Sequence, residues 1–513
     1  MQSGIAAILV VGASSLLCIN ACRGGDCELT ATCGGVATSN DAAPSPLAEG
    51  GVAVDGGEDG GGIYPPVDPP NGCDPGSDPR SAPACIDDTY ALFVDAETGD
   101  DTVNPGTRAK PLKTIGAATK VDVLRGRGRI YVTSAPQIGS FVLPPGVTLA
   151  GGADRPDFLP ATGKVTIVNT DVAGALVRVS SSTRAVQITD FDLTPGQGVN
   201  AGASSIGLEI ISAAVTLRRV AIHAQDGARG RLTPTPNNRR VETGNGQPGT
   251  SGHAAPAVKC ACTFKGSTVG GAGGEPNKPG GDGTADPAVV PSGPKTSRGG
   301  AASCGEGTAG IDGLAGPGGV AAPKVGRMTT NGWEPGNGGD GATGGPGAGG
   351  GGGGGNASEG GGSGGCGGCG GAGGFGGGAG GSSIGIASLE STLTLADCTI
   401  ETKTAGDAEV GGDGQQGESG AVGSTTSTCK GGAGGIGAGG SGGAGGAGGI
   451  SVPIVRLGGS VTKVGVVKLV PGTHGKAGGG GKAGPAATSS SGAPGTFGYG
   501  GTALTASTEQ LDL

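Results

Sequence analysis

Two nineteen-residue stretches constrain this chain more than any other feature: SSIGLEIISAAVTLRRVAI, from Ser204, and SSIGIASLESTLTLADCTI, from Ser382. They match at seven positions without a gap and start 178 residues apart. In the first, apolar residues fall at Val215, Leu217, Val220 and Ile222; in the second, at Leu393, Leu395, Cys398 and Ile400. The block VQITDFDL carries the same pattern 29 residues before the first, at Val186, Ile188, Phe191 and Leu193. A spacing of two puts side chains on one face of an extended strand. The wider step in the middle marks a corner where the chain bends to a new face. A shift of 29 then measures one turn of a coil. The copies 178 apart are consecutive turns, and the sequence between them is an insertion. Neighbouring strands of a ladder lie about 4.8 Å apart, so the insertion has to leave and return at nearly one point. The cost of closing a loop grows only logarithmically with its length, which makes so long an excursion tolerable. Earlier turns are expected at VTLAGG (Val147, Leu149) and VTIVN (Val165, Ile167).

The inserted sequence is rich in glycine. The chain has 122 Gly in 513 residues, more than three times the usual share of about 7 %. Much of it buries too little apolar surface to offset the entropy of ordering, so the Val, Ile, Leu and Ala blocks are expected to form one core. A third copy, GISVPIVRLGGSVTKVGVVKL, fits if one residue bulges between Val461 and Val464, which places Val464, Val467 and Leu469 inward. The exits HAQDGARG, TKTAGDAEVGGDG and VPGTHGKAGGGG follow the same strand, and the returns GGAGGSSIG, GGAGGISV and GYGGTALT match. The expected organisation is a cap and first turns at 73–225, insertions at 226–380, 405–449 and 471–501, turns at 381–404 and 450–470, and a tail at 502–513. Three glycine-rich loops thus leave one corner and lie side by side. Runs such as GGAGGIGAGGSGGAGGAGG approximate Gly-Gly-X triplets, without the proline of collagen. Two outcomes stay open for them: threefold glycine helices bonded through their backbones, or disorder.

Residues 1–21, MQSGIAAILVVGASSLLCINA, read as a signal peptide whose apolar run, Ile5–Ile19, is short for a membrane span. No Lys or Arg precedes the run. It ends in INAC, which resembles the lipobox of bacterial lipoproteins. That resemblance makes Cys22 the lipid attachment site and the membrane a partner through the anchor. It implies a cell-envelope location, on the outer membrane and facing outward. A secreted protein with Cys22 in a disulfide is the alternative. Residues 22–72 read as a tether rich in Gly, Ala, Pro and acids. Of thirteen cysteines, eleven remain once Cys18 is removed and Cys22 lipidated. Export permits disulfides, with Cys27–Cys33 and Cys73–Cys85 as local pairs and at least one thiol left over. Cys366 and Cys369 form a CxxC with no helix start to lower a thiol pKa. A disulfide, local or to another insertion, is expected there, and Cys260 and Cys262 are expected to pair with Cys304, Cys366 or Cys369. Cys398 reads as a small buried apolar residue.

Ahead of the coil, FVD, TGDD, NPGT and PLKTI follow one another between Phe93 and Ile115. This resembles the opening motif of bacterial right-handed parallel β-helix domains, related in architecture to the pectate lyases. The resemblance implies an all-β fold: a single-stranded right-handed parallel β-helix, with a short helix capping its amino end and, here, long glycine-rich insertions. It carries no catalytic residue. Pro111 is suited to open the helix, with Leu112, Ile115 and Ala118 at helical spacing.

Proteins of that architecture often degrade glycans, which directs attention to outward carboxylates. Asp190, Arg219 and Asp397 share one corner position on successive turns and are expected to form an outward charge ladder. It is either a catalytic or calcium-binding strip or a surface ion ladder, worth under about 1 kcal/mol per exposed pair. Asp192 is also outward, but its neighbours Ala221 and Thr399 offer no second acid. His223, His253 and His474 lack ligand spacing. The GGDG runs at Asp282, Asp340 and Asp413 resemble calcium-binding glycine repeats without keeping their order. The Gly-Lys pairs at Lys164, Lys476 and Lys482 lack the Ser or Thr of a phosphate loop. No cofactor or metal is expected, and a net charge of -9 argues against nucleic acid. The expected role is structural or adhesive, at the cell surface, with surface polysaccharide or other surface proteins as partners. The alternative is a polysaccharide lyase or glycoside hydrolase, for which 2 % aromatics leaves few sugar-stacking side chains.

Overall fold

The alternating apolar residues do what their spacing requires. The twelve positions of the three copies, from Val186 to Ile400, are each at most 2 % exposed and join one hydrophobic cluster. The computed structural model describes residues 64–169, 174–180, 184–286, 296–426, 428–487 and 493–513. Cys22, Cys27 and Cys33 lie outside them.

Three parallel sheets surround the cluster. The first contains Ala91–Val94, Arg129–Thr133, Thr148–Asp154, Val186–Thr189, Ala214–Arg218, Thr392–Ala396 and Ser460–Val464, in that order. The second contains Gln137–Ile138, Val165–Val168, Phe191–Thr194, Ala221–His223, Thr399–Glu401 and Lys468–Val470. The third contains Phe141–Val142, Gly174–Ser180, Ser205–Ile211, Ser383–Leu389, Ser451–Leu457 and Gln510–Asp512. From Arg129 onward the chain visits first, second and third sheet in unchanging order, consistent with a parallel β-helix. Val215 lies opposite Val186 on one side and Leu393 on the other, so offsets of 29 and 178 are both stacking offsets. Each glycine-rich insertion departs after a strand of the second sheet and returns on the third.

The repeated serines close each circuit. Ser205, Ser383 and Ser451 begin circuits on the third sheet. Their hydroxyl oxygens accept the backbone N–H of Gln225, Lys403 and Gly472, at 2.9, 3.0 and 3.1 Å, where the same circuits end. The glycine that follows is steric: a Cβ on Gly385 would stand 2.2 Å from Ile400 Cγ2.

Two local expectations fail. Pro111 does not open a helix, because Leu112 bridges to Val94 in the first sheet. The helix Ile115–Ala118 starts after Thr114, whose hydroxyl accepts from Ala117 N–H, and a second, Val121–Leu124, follows. In the last circuit the ladder continues unbroken through Val464, which stands opposite Ala396 and is 51 % exposed. The extra residue falls between Val464 and Lys468, where Gly465 takes a φ of 66°, and Val467 and Leu469 return to the core.

The third sheet is apolar on its outer face as well. Ile206, Ile384, Ala387, Val452 and Val455 lie under Val325, Met328 and Trp333. The last two belong to an antiparallel hairpin, Gly326–Thr329 with Gly332–Pro335, that the first insertion folds back onto the coil. Glu209 is buried beneath this hairpin, accepting from Trp333 N–H at 3.1 Å with Arg178 3.4 Å away. Burial pushes its carboxyl pKa up, against the pull of Arg178.

Candidate functional site: the glycine bundle and the charged flanks of the coil

The described glycine-rich segments are ordered, and their order is a backbone lattice. Between 406 and 424 every third N–H donates to the antiparallel segment 363–381: Gly406 to Gly381, Glu409 to Gly378, Gly412 to Phe375, Gln415 to Ala372 and Glu418 to Cys369. A threefold extended helix, rising about 3.1 Å per residue, has this period. The segment 430–449 is surrounded by others, and 435–449 is buried throughout. Its N–H groups donate in three rows to 336–351, 406–421 and 493–502, and its carbonyls accept from 307–319, 365–380 and 475–484. The neighbours run both ways: 365–380 is parallel to it and 406–421 antiparallel.

Glycine is what lets backbones come this close. A Cβ on Gly437, Gly440 or Gly443 would stand 2.0, 1.9 or 2.1 Å from the carbonyl oxygen of Cys369, Ala372 or Phe375. Side chains survive in one row in three, as at Ala438, Ser441, Ala444 and Ala447, all buried. In 363–375 that row holds Ser363, Cys366, Cys369, Ala372 and Phe375, which is why the sequence reads Gly-Gly-X. Cys366 pairs with Cys260 and Cys369 with Cys262. Cys304 pairs with Cys429 and links the first insertion to the second. Cys73 pairs with Cys85 in the cap. Cys398 is a free buried thiol, 3.3 Å from Ala396 O, and burial raises its pKa.

The GGDG aspartates seal the edges of the lattice. Asp282, Asp340 and Asp413 accept the backbone N–H of Gly299, Gly376 and Lys482 on adjoining segments, at 2.9, 2.7 and 2.7 Å. Among the described residues no group of three or more His, Cys, Asp or Glu could hold a metal ion.

The charge ladder is only partly assembled, and it is not an outward strip. Arg219 meets Asp190 at 2.7 Å, but Asp190 is 1 % exposed. The cap covers it: Asp78 takes the other side of Arg219 at 2.7 Å, and Arg80 reaches Asp190 at 2.6 Å. The hydrogen bond from Arg219 holds the Asp78 carboxyl below its usual pKa. Asp397 is turned away and accepts Val466 N–H at 3.0 Å. All three corner residues have left-handed φ, at 63°, 54° and 54°, so stacked backbone corners aim them rather than mutual charge. Asp78 and Arg80 are partners that turn spacing does not announce.

The outer face of the second sheet holds a row that the sequence reading missed. His223 lies between Asp192, 3.1 Å away, and Glu401, 3.3 Å away, and Lys468 reaches Glu401 at 3.2 Å. The Lys468 hydrogen bond is the main cause of a lowered Glu401 pKa. The offset of 178 maps His223 onto Glu401 and was the available signal; Asp192 joins diagonally from the preceding turn.

No family model matches this sequence, and no curated protein and no solved structure matches it significantly.

Proposed function

We propose that this chain is a surface lipoprotein with a structural or adhesive role, anchored through Cys22 and built on a right-handed parallel β-helix of pectate-lyase-like architecture. Right-handedness follows the general rule for parallel crossovers, obeyed in about 98 % of cases. The observation that carries the role is the backbone-bonded interior of the bundle, where 435–449 is buried throughout. A large share of the chain is invested in a backbone lattice whose interior side chains are small, Ala438, Ser441, Ala444 and Ala447 among them. Such a bundle suits a stiff projecting element in the envelope or extracellular matrix, with surface polysaccharides or other surface proteins as partners. Two measurements test the reading. Palmitate labelling of cells should depend on Cys22, and surface protease should remove the bundle from intact cells. Unchanged labelling of a Cys22→Ala variant, or full protection from protease, rejects it.

A second reading, a polysaccharide lyase or glycoside hydrolase, draws on the row Asp192, His223, Glu401 and Lys468, where acids and bases share an exposed face. It requires turnover of a polysaccharide panel that His223→Ala abolishes. No turnover by the wild-type chain ends it.

A further inference from the structure

Segment 475–484 forms one of the edges that the bundle leaves bare. It donates to 430–449 and accepts from 405–417 and 495–501. Its remaining row, Ala477, Gly480 and Ala483, makes no backbone hydrogen bond through either N–H or carbonyl among the described residues. Phe497 and Gly500, on the adjoining segment, are equally bare. This is the lattice counterpart of an exposed sheet edge, which templates pairing with another chain.

Two glycines beside this row stand out. At most glycines of the bundle a backbone atom stands close to where Cβ would be, whereas Gly479 and Gly500, with no left-handed φ, have nothing within 4 Å of that position. Nothing inside one copy requires glycine at these places, and an ordered Gly costs roughly 0.5–1 kcal/mol relative to Ala. A backbone approaching from outside would require it. Phe497 and Tyr499, 70 % and 64 % exposed, flank the row.

We propose that this edge docks a second copy of the same chain. The lattice interior accepts neighbours running in either direction, so the edge turned about a twofold axis meets a compatible partner. Free donors and acceptors stand on both segments, which makes the contact self-complementary, as an isologous interface requires. Charge does not oppose it. Asp407 and Asp413 accept the backbone N–H of Lys476 and Lys482, so two positive and two negative side chains share the flank. The proposal goes beyond the anchoring role and is tested apart from it.

Sedimentation velocity of the full chain in mild detergent tests it. The wild type should be a dimer. Gly479→Glu with Gly500→Glu should weaken dimerisation at least about tenfold with unchanged circular dichroism, because a Cβ at either place has open space around it. Phe497→Ser with Tyr499→Ser, which alters only exposed side chains, should weaken it too and covers the case in which the glutamates disturb folding. A wild type that stays monomeric at its highest soluble concentration overturns the proposal, as does a dimer that both double variants leave intact. A dimer that Val466→Glu dissolves instead, at the open last circuit of the coil where Val466 is 78 % exposed, also overturns it.

Discussion

The coil and the bundle are both densely ordered, and they reach that state by opposite means. In the coil, backbones pair within sheets and the interior is filled by Val, Ile, Leu and Phe. Each fully buried large apolar side chain contributes about 1.5–3 kcal/mol. In the bundle the backbone itself is the interior, and side chains are excluded from two rows in three. Its hydrogen bonds contribute a net of about 0.5–1.5 kcal/mol each, against the high entropy cost of ordering glycine. A lattice so built depends on constraints from outside. It has them in the serine-closed circuits at the base of each loop, in three disulfides, and in the Trp333 hairpin seated on the third sheet. The coil is the autonomous partner and the bundle the dependent one.

Deleting 226–380 should produce the largest effect. Strand offsets make this an excision between adjacent turns that should leave the coil folded. The structure adds its cost to the bundle: the deletion takes away three of the six neighbours of 430–449 and uncovers Ile206, Ile384, Val452 and Val455. The remaining chain should keep β circular dichroism, lose hydrogen-exchange protection across 406–449, and aggregate. Retained protection there would break the claim of dependence.

Next come two single substitutions. Gly440→Val should cost about 3 kcal/mol, the upper end for overpacking, and Leu217→Ala about 2–5 kcal/mol by leaving a cavity. Chemical denaturation gives the sizes and hydrogen exchange the location. The glycine variant should loosen the bundle alone, and the leucine variant both regions. The reverse pattern would invert the hierarchy.

Two carboxylates, the half-buried Asp78 of the cap and the buried Glu209 beneath the hairpin, give the two regions opposite pH dependences. The lowered pKa of Asp78 gives stability that is present above the unfolded Asp value of about 3.9 and is lost as pH falls through the folded value. Glu209 has the opposite sign. Its raised pKa contributes below the unfolded Glu value of about 4.3 and the contribution fades as pH rises through the folded value. Trp333 is the single tryptophan, so its fluorescence reports hairpin docking directly. Glu209→Gln should flatten the pH dependence of that signal; an unaltered profile would separate docking from Glu209.

The smallest effect belongs to Gly479→Ala, which should change the stability of one copy by no more than about 0.5 kcal/mol. A large loss would show that this glycine is held from within.

Much of this was legible in advance, for a physical reason. A period of two and repeating offsets are properties of the coil that every turn has to obey. Hence Val215, Leu393 and their equivalents were assignable without coordinates, while a one-residue slip at Val464 was not, because ladder continuity outweighed apolar matching at the open last circuit. Cys366 and Cys369 were readable as cross-links, but their partners Cys260 and Cys262 became definite only once the hairpin around them was placed. The ladder failed differently. Asp190 and Arg219 stack as their register demands, but Asp78 and Arg80 come from a cap segment with no periodicity. The row around His223 needed the offset of 178 to be applied to outward residues as well as inward ones.

By itself, then, the sequence determined the circuits, the corner from which the insertions leave, and the three-residue rhythm within them. Those features are local or strictly repeated, and short-range sterics set them. Only the tertiary structure decided that the glycine segments pack rather than wander, which six surround 430–449, and which rows at the periphery stay bare. A threefold glycine helix has the same sequence signature alone or packed, because its hydrogen bonds are all made with other segments.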